Sequence, residues 1–245
     1  MILKIKNKSE FISNFLLPLS KLGDSCICKL TDKGLTTLIS TDCRTVVLYG
    51  SYTQDIEHEG EPFNLNIPDL GRLIRILQCV DSEKIELDVT PSVLKYSSKD
   101  IRFSYHLLDD NILSSPKISI DKIKQMNYTT TFDIAYTALV NLLKSSTFTI
   151  NINKVYFDTA DDCVYAEIND KQSSNVDNIR IKLCNSYAGA DITTPLPVSL
   201  DTIRNLAGVK CEKLKISINS DLNVMTFGVN NRNISILYIV SGLIK

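Results

Sequence analysis

The sequence is poor in the residues from which many catalytic and phosphate-binding sites are made. Its 245 residues include nine glycines, two histidines and no tryptophan. The glycine-rich patterns of nucleotide-binding loops, the H-E-x-x-H of zinc proteases and the G-x-S-x-G of hydrolases are all absent. His58 falls in an acidic loop and His106 on the polar face of an alternating strand. We therefore expect no catalytic residue, no metal site and no cofactor, and a protein that is not an enzyme.

Disulfide frameworks and long apolar runs are also missing. The seven cysteines are an odd number and none is spaced C-x-x-C, which excludes a full disulfide framework and a zinc module. No segment reaches the ~20 apolar residues of a membrane span, and the N-terminus lacks the apolar core of a signal peptide. Lys and Arg number 27 against 28 Asp and Glu, which excludes a simple basic coat for nucleic acid. We expect a reduced, soluble, intracellular protein with no membrane partner.

What the sequence contains is a set of short alternating strands interrupted by four helices. Apolar residues at helical spacing predict helices over 9–22, 68–79, 133–146 and 198–208. Alternation of polar and apolar residues predicts half-buried strands over 84–89, 101–107, 148–152 and 213–218. Pro18 lies inside the first helical pattern and is expected to bend or shorten that helix.

An internal repeat indicates that the chain contains two copies of one domain. With an offset of 129, residues 67–89 align with 196–218 at seven identities in 23 positions, against roughly one or two expected by chance. Each copy has the order β-α-β-β-β, β-α-β-β-β, which predicts an α+β fold with helices on one face of antiparallel sheets. The predicted domains are 1–108 and 123–245, joined by a connector over 109–122.

The connector carries aliphatic residues in a segment that is otherwise polar. Periodicity breaks in 108–117, where Asp-Asp, Ser-Ser and Pro occur together. Four aliphatic residues lie close together there: Ile112, Leu113, Ile118 and Ile120. They either pack onto the domain beneath or leave an apolar groove partly open, and the sequence does not decide between the two.

The predicted helices are more basic than the remainder of the chain. The segments that contain these helices, 8–22, 68–79, 133–146 and 197–210, hold four acidic residues and seven basic ones, a net +3 against −4 elsewhere. The basic residues are Lys8, Lys21, Arg72, Arg75, Lys144, Arg204 and Lys210. Ordinary solvated helices with acids near their N-termini would give this pattern. So would a mildly basic surface for a nucleic-acid backbone.

In the order of these elements the sequence resembles the sliding DNA clamps. The resemblance is to the two-domain, trimer-forming clamps of eukaryotes, archaea and T4-type bacteriophages, the PCNA-like type. It rests on the first β-α unit, on Ser40-Thr41-Asp42 followed by Val46, on the basic-aliphatic segment 75–79 and on the closing strand 237–240. The first helix is less basic than in cellular clamps, and the C-terminus lacks their small-Pro-basic ending. Both departures favour a viral or phage protein, and a phage-encoded clamp would lie in the host cytoplasm.

The resemblance implies a ring that encircles duplex DNA. Three copies would close head to tail, with helices lining the hole and sheets outside. The ring would hold DNA without sequence preference and tether the DNA polymerase to give processivity, after placement by a clamp loader. The lumen residues implied are Lys21, Arg72, Arg75, Lys144, Arg204 and Lys210.

The resemblance also implies two protein-binding surfaces. A pocket for polymerase and clamp-loader peptides would be formed by Val46, Ile112, Leu113, Ile118, Ile120, Tyr238 and Val240. The subunit interface would pair the strand at 101–107 with the strand at 178–185 of the next chain, through Ile101, Phe103, Tyr105, Ile179, Ile181 and Leu183.

Two other functions remain open at this point. One is a monomeric tandem α+β module that binds peptides or single-stranded nucleic acid, and the other is an uncharacterised enzyme. Single-strand binders stack bases on exposed aromatic side chains, whereas here most Tyr and Phe fall on the apolar phase of strands. The mass in solution distinguishes a ring from a monomer.

Overall fold

The computed structural model describes residues 1–53, 61–149, 152–171 and 177–242, and the chain in it divides into two compact units. Unit 1 contains residues 1–118 and 230–236, and unit 2 contains 119–229 and 237–245. The boundary at 118/119 lies inside the segment that the sequence suggests as a connector. The return of 230–236 to unit 1 has no counterpart in the sequence-based division.

Unit 1 combines two antiparallel four-stranded arrays with a short stack of helices. Its strands are β1 (Ile2–Ile5), β2 (Cys26–Thr31), β3 (Gly34–Ser40), β4 (Val46–Thr53), β5 (Phe63–Ile67), β6 (Ile85–Val89), β7 (Val93–Ser97) and β8 (Arg102–His106). Its helices are α1 (Lys8–Phe11), a π-helical turn (Ile12–Leu16), α2 (Leu17–Ser20) and α3 (Leu70–Gln78). The strand orders are β1-β6-β7-β8 and β4-β3-β2-β5.

Unit 2 has the same plan. Its helices are α4 (Ile120–Lys124), α5 (Tyr136–Ser145) and α6 (Leu200–Leu206). Its strands are β9 (Thr130–Ala135), β10 (Lys154–Ala160), β11 (Cys163–Ile168), β12 (Ile179–Cys184), β13 (Ala188–Gly189), β14 (Leu196–Ser199), β15 (Lys213–Asn219), β16 (Val224–Asn231) and β17 (Ile234–Ser241), the last two shared with unit 1. The strand orders are β12-β11-β10-β14 and β13-β9-β15-β16. The predicted α+β class with antiparallel sheets is confirmed.

The strand register preserves the repeat offset of 129. Ile5 lies opposite Ile85 where β1 pairs with β6. Ile134 lies opposite Leu214 where β9 pairs with β15. Both members of the first pair become the second pair when 129 is added. The duplication therefore includes the opening strand of each unit, where the residues themselves match only in pattern.

The helices other than α4 bury one face each, and they are shorter than the sequence pattern suggests. Phe15, Leu19 and Leu77 in unit 1 are buried, as are Leu142 and Ile203 in unit 2. This burial is the main stabilising contribution of the helices.

The differences in helix length have local physical causes. Helix α5 begins at Tyr136 and not at 133, because 130–135 is a strand paired with β15. Pro18 lies in a continuous run of helical backbone, directly after the π-helical turn in which the Leu17 N–H donates to the Ile12 carbonyl oxygen, so an irregular turn and not a helix end accompanies its missing N–H. Phe148 is exposed and Thr149 is not in a strand, while residues 150–151 of that predicted strand lie outside the described residues.

Candidate functional site

The six basic residues assigned to the helices' outer face are all exposed. They are Lys21, Arg72, Arg75, Lys144, Arg204 and Lys210. Lys8, the seventh basic residue of these segments, is only 7% exposed, and its Nζ donates to the Val80 carbonyl oxygen. One of the seven cations therefore serves the interior and adds nothing to the basic surface.

On α3 two arginines project from the face opposite the apolar one. The Asp69 carboxylate caps this helix by accepting from the Arg72 backbone N–H at 2.7 Å. The guanidinium of Arg72 lies 5.8 Å from the ring centre of Tyr105, within cation–π distance. Within the described residues neither Arg72 nor Arg75 forms an ion pair, so both can meet an external anion.

On α6 the corresponding surface is neutral. Arg204 matches Arg75 in the repeat, but its Nη1 lies 2.6 Å from Oδ1 of Asp201, one helical turn earlier. The other carboxylate oxygen of Asp201 accepts from Asn153 Nδ2 at 3.0 Å. Asp201 occupies the position equivalent to Arg72.

The two strands assigned to a subunit interface both lie at sheet edges. β8 ends one array of unit 1 and β12 ends one array of unit 2, and each has a single strand neighbour among the described residues. Ile101, Phe103, Ile179 and Ile181 are half-buried there. An edge strand presents unpaired backbone groups to which another chain can add.

Tyr105 and Leu183 are corrections to that interface assignment. They are 1% and 6% exposed, because the inward phase of each edge strand packs on its own unit. The Tyr105 hydroxyl donates to the Asp69 carbonyl oxygen at 2.7 Å and accepts from the Asp69 N–H at 3.1 Å. Burial raises the pKa of this phenol above its ordinary value. Tyr105 therefore fastens its edge strand to the start of α3.

A groove runs between the connector and the turn that joins β3 to β4. Ser115 Oγ donates to the Leu38 carbonyl oxygen at 3.2 Å, which holds the connector against β3. A cavity of about 480 Å³ is lined by Ser40, Arg44, Val47, Ser114, Ser115, Pro116, Lys117 and Ile118. A second cavity of about 450 Å³ continues it and shares Ser40, Arg44, Ser114 and Pro116.

Most of the residues assigned to this pocket lie elsewhere. Of those seven, Ile118 lines the first cavity. Ile112 is exposed, and Leu113 and Ile120 are half-buried, away from the cavity lining. Val46, Tyr238 and Val240, the expected floor, are 8%, 0% and 2% exposed. Alternation in a strand identifies a face but not whether another element covers it, so the sequence could not predict the burial of these three side chains.

Arg44 borders both cavities, although no sequence pattern had assigned it to the pocket. It adopts a positive φ of 56° in the turn between β3 and β4, and its N–H donates to the Thr41 carbonyl oxygen at 2.9 Å. The adjacent Cys43 is exposed, and hydrogen bonds with the Thr41 and Thr45 hydroxyls lower the pKa of its thiol to about 7. The available signal was a basic residue inside a polar turn, next to Ser40-Thr41-Asp42.

Nothing in the described ranges suggests a metal centre or a membrane segment. No group of three His, Cys, Asp or Glu side chains there could hold a metal ion. Asp161 and Asp162 have φ of 50° and 58° and form the turn between β10 and β11, as hairpin geometry requires. All seven cysteines are free thiols. No described helix has both the length and the apolar character needed to cross a bilayer.

Solved structures similar to this chain are PCNA sliding clamps. A. fulgidus PCNA, solved with the C-terminal region of FEN-1 bound, matches at a TM-score of 0.81 and 15% identity, covering 100% of this chain and 99% of that chain. Entamoeba histolytica PCNA matches at 0.78 and 12%, covering 99% and 98%. The PCNA2–PCNA3 complex of Sulfolobus tokodaii matches at 0.76 and 11%, covering 99% of each chain. No protein-family model and no curated protein matches the sequence.

The chain has the fold of the PCNA sliding clamps along its whole length. Identities of 11 to 15% place this likeness in the fold and not in particular residues. The candidate features for function are therefore those of this chain: the exposed cations, the edge strands β8 and β12, and the connector groove.

Proposed function

We propose that this protein is a sliding clamp, a homotrimeric ring that encircles duplex DNA and tethers a DNA polymerase. The observation that carries the proposal is the match to PCNA along the full chain, with both units in order. Such a clamp is a scaffold and not an enzyme, in keeping with the expectation from the sequence. A ring retains DNA by topology, so its lumen needs only weak, sequence-independent phosphate contacts.

The free edges of β8 and β12 support the ring. Head-to-tail contact between two different surfaces either closes or forms a fibre, and pairing of these edges would give the closed case. We expect a mass three times 27.4 kDa by light scattering at micromolar concentration. A stable monomer of the unmodified protein would contradict the clamp.

Two substitutions test whether these edges form the contact. Phe103→Glu on β8 and Ile181→Glu on β12 each place a charge in the proposed subunit interface, and each should give monomers. Leu222→Glu is the matched control, because Leu222 is an exposed aliphatic residue in the turn between β15 and β16. A trimer that survives both edge substitutions would place the interface elsewhere.

The cations of α3 support DNA contact. The double variant Arg72→Gln/Arg75→Gln should lower the slope of log affinity against log salt by ~0.9 for each phosphate that is no longer neutralised. Lys29→Gln/Lys33→Gln removes the same charge from β2 and its turn and should leave the slope unchanged. Fluorescence anisotropy with duplexes of two unrelated sequences measures both the slope and the absence of sequence preference. Equal slopes for the two double variants would contradict the assignment.

The connector groove supports peptide binding. The A. fulgidus protein binds a C-terminal region of its partner, and we propose that this groove binds the C-terminal peptide of a polymerase, with the clamp loader as a second partner. Ile118→Glu should weaken binding by about 5- to 150-fold, since a few anchors carry such interfaces at ~1–3 kcal/mol each. Ile112→Glu lies outside the cavity lining and is the control in calorimetry. If Ile118→Glu bound the peptide with unchanged affinity, the peptide would bind somewhere other than this groove.

The same proposal includes an intracellular location, in the host cytoplasm if the protein is encoded by a phage. Seven free thiols are in keeping with a reducing compartment.

A further inference from the structure

The two units present different charges at equivalent positions of α3 and α6. Arg72 and Arg75 on α3 correspond to Asp201 and Arg204 on α6 at the offset of 129. α3 thus presents two cations that lack an ion-pair partner within the described residues. α6 presents one cation and the carboxylate that binds it.

Asp201 is held where it can keep Arg204 occupied. Its Oδ1 lies 2.6 Å from Arg204 Nη1, while its Oδ2 accepts from Asn153 Nδ2 at 3.0 Å. Asn153 comes from the segment before β10, so the carboxylate is fixed from outside its own helix. A fixed carboxylate competes with a phosphate for the same guanidinium and also repels that phosphate.

We propose that Asp201 withholds Arg204 from the DNA backbone, so that each chain contacts DNA through α3 and not through α6. This inference rests on the proposed clamp function. It makes Asp201 a positioning residue that acts through Arg204 and limits the number of phosphates that each chain neutralises. The pair is exposed, with 53% of the Arg204 side chain and 63% of the Asp201 side chain accessible. A pair of this kind is weak enough for its removal to free the arginine without unfolding the unit.

The plain alternative is that Asp201 serves the helix alone. An acidic residue in the first turn is favourable to the helix dipole. In that case Asp201→Asn would lower thermal stability slightly and leave the response of DNA binding to Arg204 unchanged. The two roles therefore differ in a measurable coupling.

The test is a double-mutant cycle read by the salt dependence of duplex binding. Asp201→Asn should tighten binding and steepen the log–log salt slope by up to ~0.9 for each chain in which Arg204 then binds a phosphate. In the Arg204→Gln background, Asp201→Asn should produce no added slope. Asp121→Asn on α4 removes an exposed acid of unit 2 and is the control for charge alone. Circular dichroism confirms that each variant is folded.

Two results would overturn the inference. One is an unchanged slope in Asp201→Asn. The other is a slope that steepens equally with and without Arg204, or equally in Asp121→Asn, because the cause would then be net charge. Asn153→Ala, which frees the carboxylate from its second partner, is the further variant and should move the slope in the same direction by less. If the slope of the unmodified protein does not depend on Arg72 and Arg75, the clamp proposal itself fails; if it does, only this inference is at stake.

Discussion

The two units solve one structural problem with different chemistry. In each unit the side chain of the first residue of one helix, α1 or α5, donates to a carbonyl oxygen just beyond the end of a later helix, α3 or α6, where helical partners are lacking. In unit 1 the buried Lys8 ammonium donates to the Val80 carbonyl oxygen. In unit 2 the Tyr136 hydroxyl donates to the Ala207 carbonyl oxygen at 2.7 Å. At the offset of 129, Lys8 corresponds to Thr137 and Val80 to Val209, so the two bonds join similar places in the two units and not equivalent residues.

On the surface the two units differ in the opposite way. The equivalent exposed positions of α3 and α6 hold Arg72 in one unit and Asp201 in the other. Each charge has its own local partner, since Arg72 lies over the Tyr105 ring and Asp201 pairs with Arg204. Interior requirements have been preserved through substitution, while the exposed helix faces have diverged in charge.

The largest expected effect follows from removing the Lys8 hydrogen bond. Lys8→Met keeps the length of the side chain and removes its donor, which should lower the free energy of unfolding by about 1.5–3 kcal/mol. Urea denaturation measures the change. Lys6→Met alters an exposed lysine two residues earlier and should have little effect. Equal midpoints for the two variants would show that the buried ammonium is unimportant.

The matching change in unit 2 should be smaller. Tyr136→Phe removes a neutral donor, for which we expect about 0.5–1.5 kcal/mol in the same assay. Tyr96→Phe is the control, because the Tyr96 hydroxyl forms no hydrogen bond within the described residues while its ring stacks on Phe103 at 5.5 Å. If Tyr136→Phe destabilised the protein as much as Lys8→Met, the expected difference in strength between the two hydrogen bonds would be contradicted.

The N-caps of α3 and α6 differ less. The Asp69 carboxylate accepts from the Arg72 N–H at 2.7 Å, whereas Ser199 Oγ accepts from the Asp201 N–H at 3.2 Å. Asp69→Ala should destabilise the protein by about 1 kcal/mol, and Ser199→Ala by less. Asp69→Ser preserves a capping oxygen and should recover most of that stability. Thermal denaturation at low salt would contradict this if the two alanine variants ranked in reverse.

The smallest effect at neutral pH concerns one buried tyrosine in each unit. Burial raises the pKa of Tyr52 to about 12 and also raises that of Tyr238, whose hydroxyl has no partner among the described residues. Both phenols are neutral at pH 7 in the folded and unfolded chains, so Tyr52→Phe and Tyr238→Phe should change stability little there.

The effect of these two phenols becomes measurable in alkali. Above pH ~10 the unfolded phenols ionise while the buried ones stay protonated, so the intact protein loses stability as the pH rises from 10 towards 12. Each phenylalanine variant should lack its share of that decline in denaturation curves taken at several pH values. A parallel decline in a variant and the intact protein would show that the phenol in question ionises normally in the fold.

The repeat made the fold predictable, because buried aliphatic residues recur at the offset of 129. Ile74 and Leu77 recur as Ile203 and Leu206, and all four face the core. Packing restricts such positions to aliphatic residues, so their spacing survives in the sequence. Helix ends were less predictable, since pairing with β15 decides that 130–135 is a strand and no local signal records this.

The functional residues were predictable in part. Exposure of Arg72, Arg75, Lys144 and Arg204 followed from amphipathic spacing, whereas Lys21 and Lys210 are exposed just beyond the ends of α2 and α6. The burial of Lys8, Tyr105 and Tyr238 was not predictable, because it depends on elements distant in the sequence, which a local polarity pattern does not encode. Arg44 was overlooked since a turn between strands has no periodicity that would assign its side chain to a cavity.

The hydroxyl of Tyr105 has a mechanical consequence. It joins the edge strand β8 to the start of α3 by two hydrogen bonds to Asp69. The ring of the same tyrosine lies beneath Arg72, so these hydrogen bonds also fix the ring. A pull that peels β8 from its neighbour therefore also acts on Asp69, the N-cap of α3, through these two hydrogen bonds. The strand and the helix are therefore mechanically coupled through the Tyr105 hydroxyl. Tyr105→Phe would remove both hydrogen bonds and leave the packing of the ring in place.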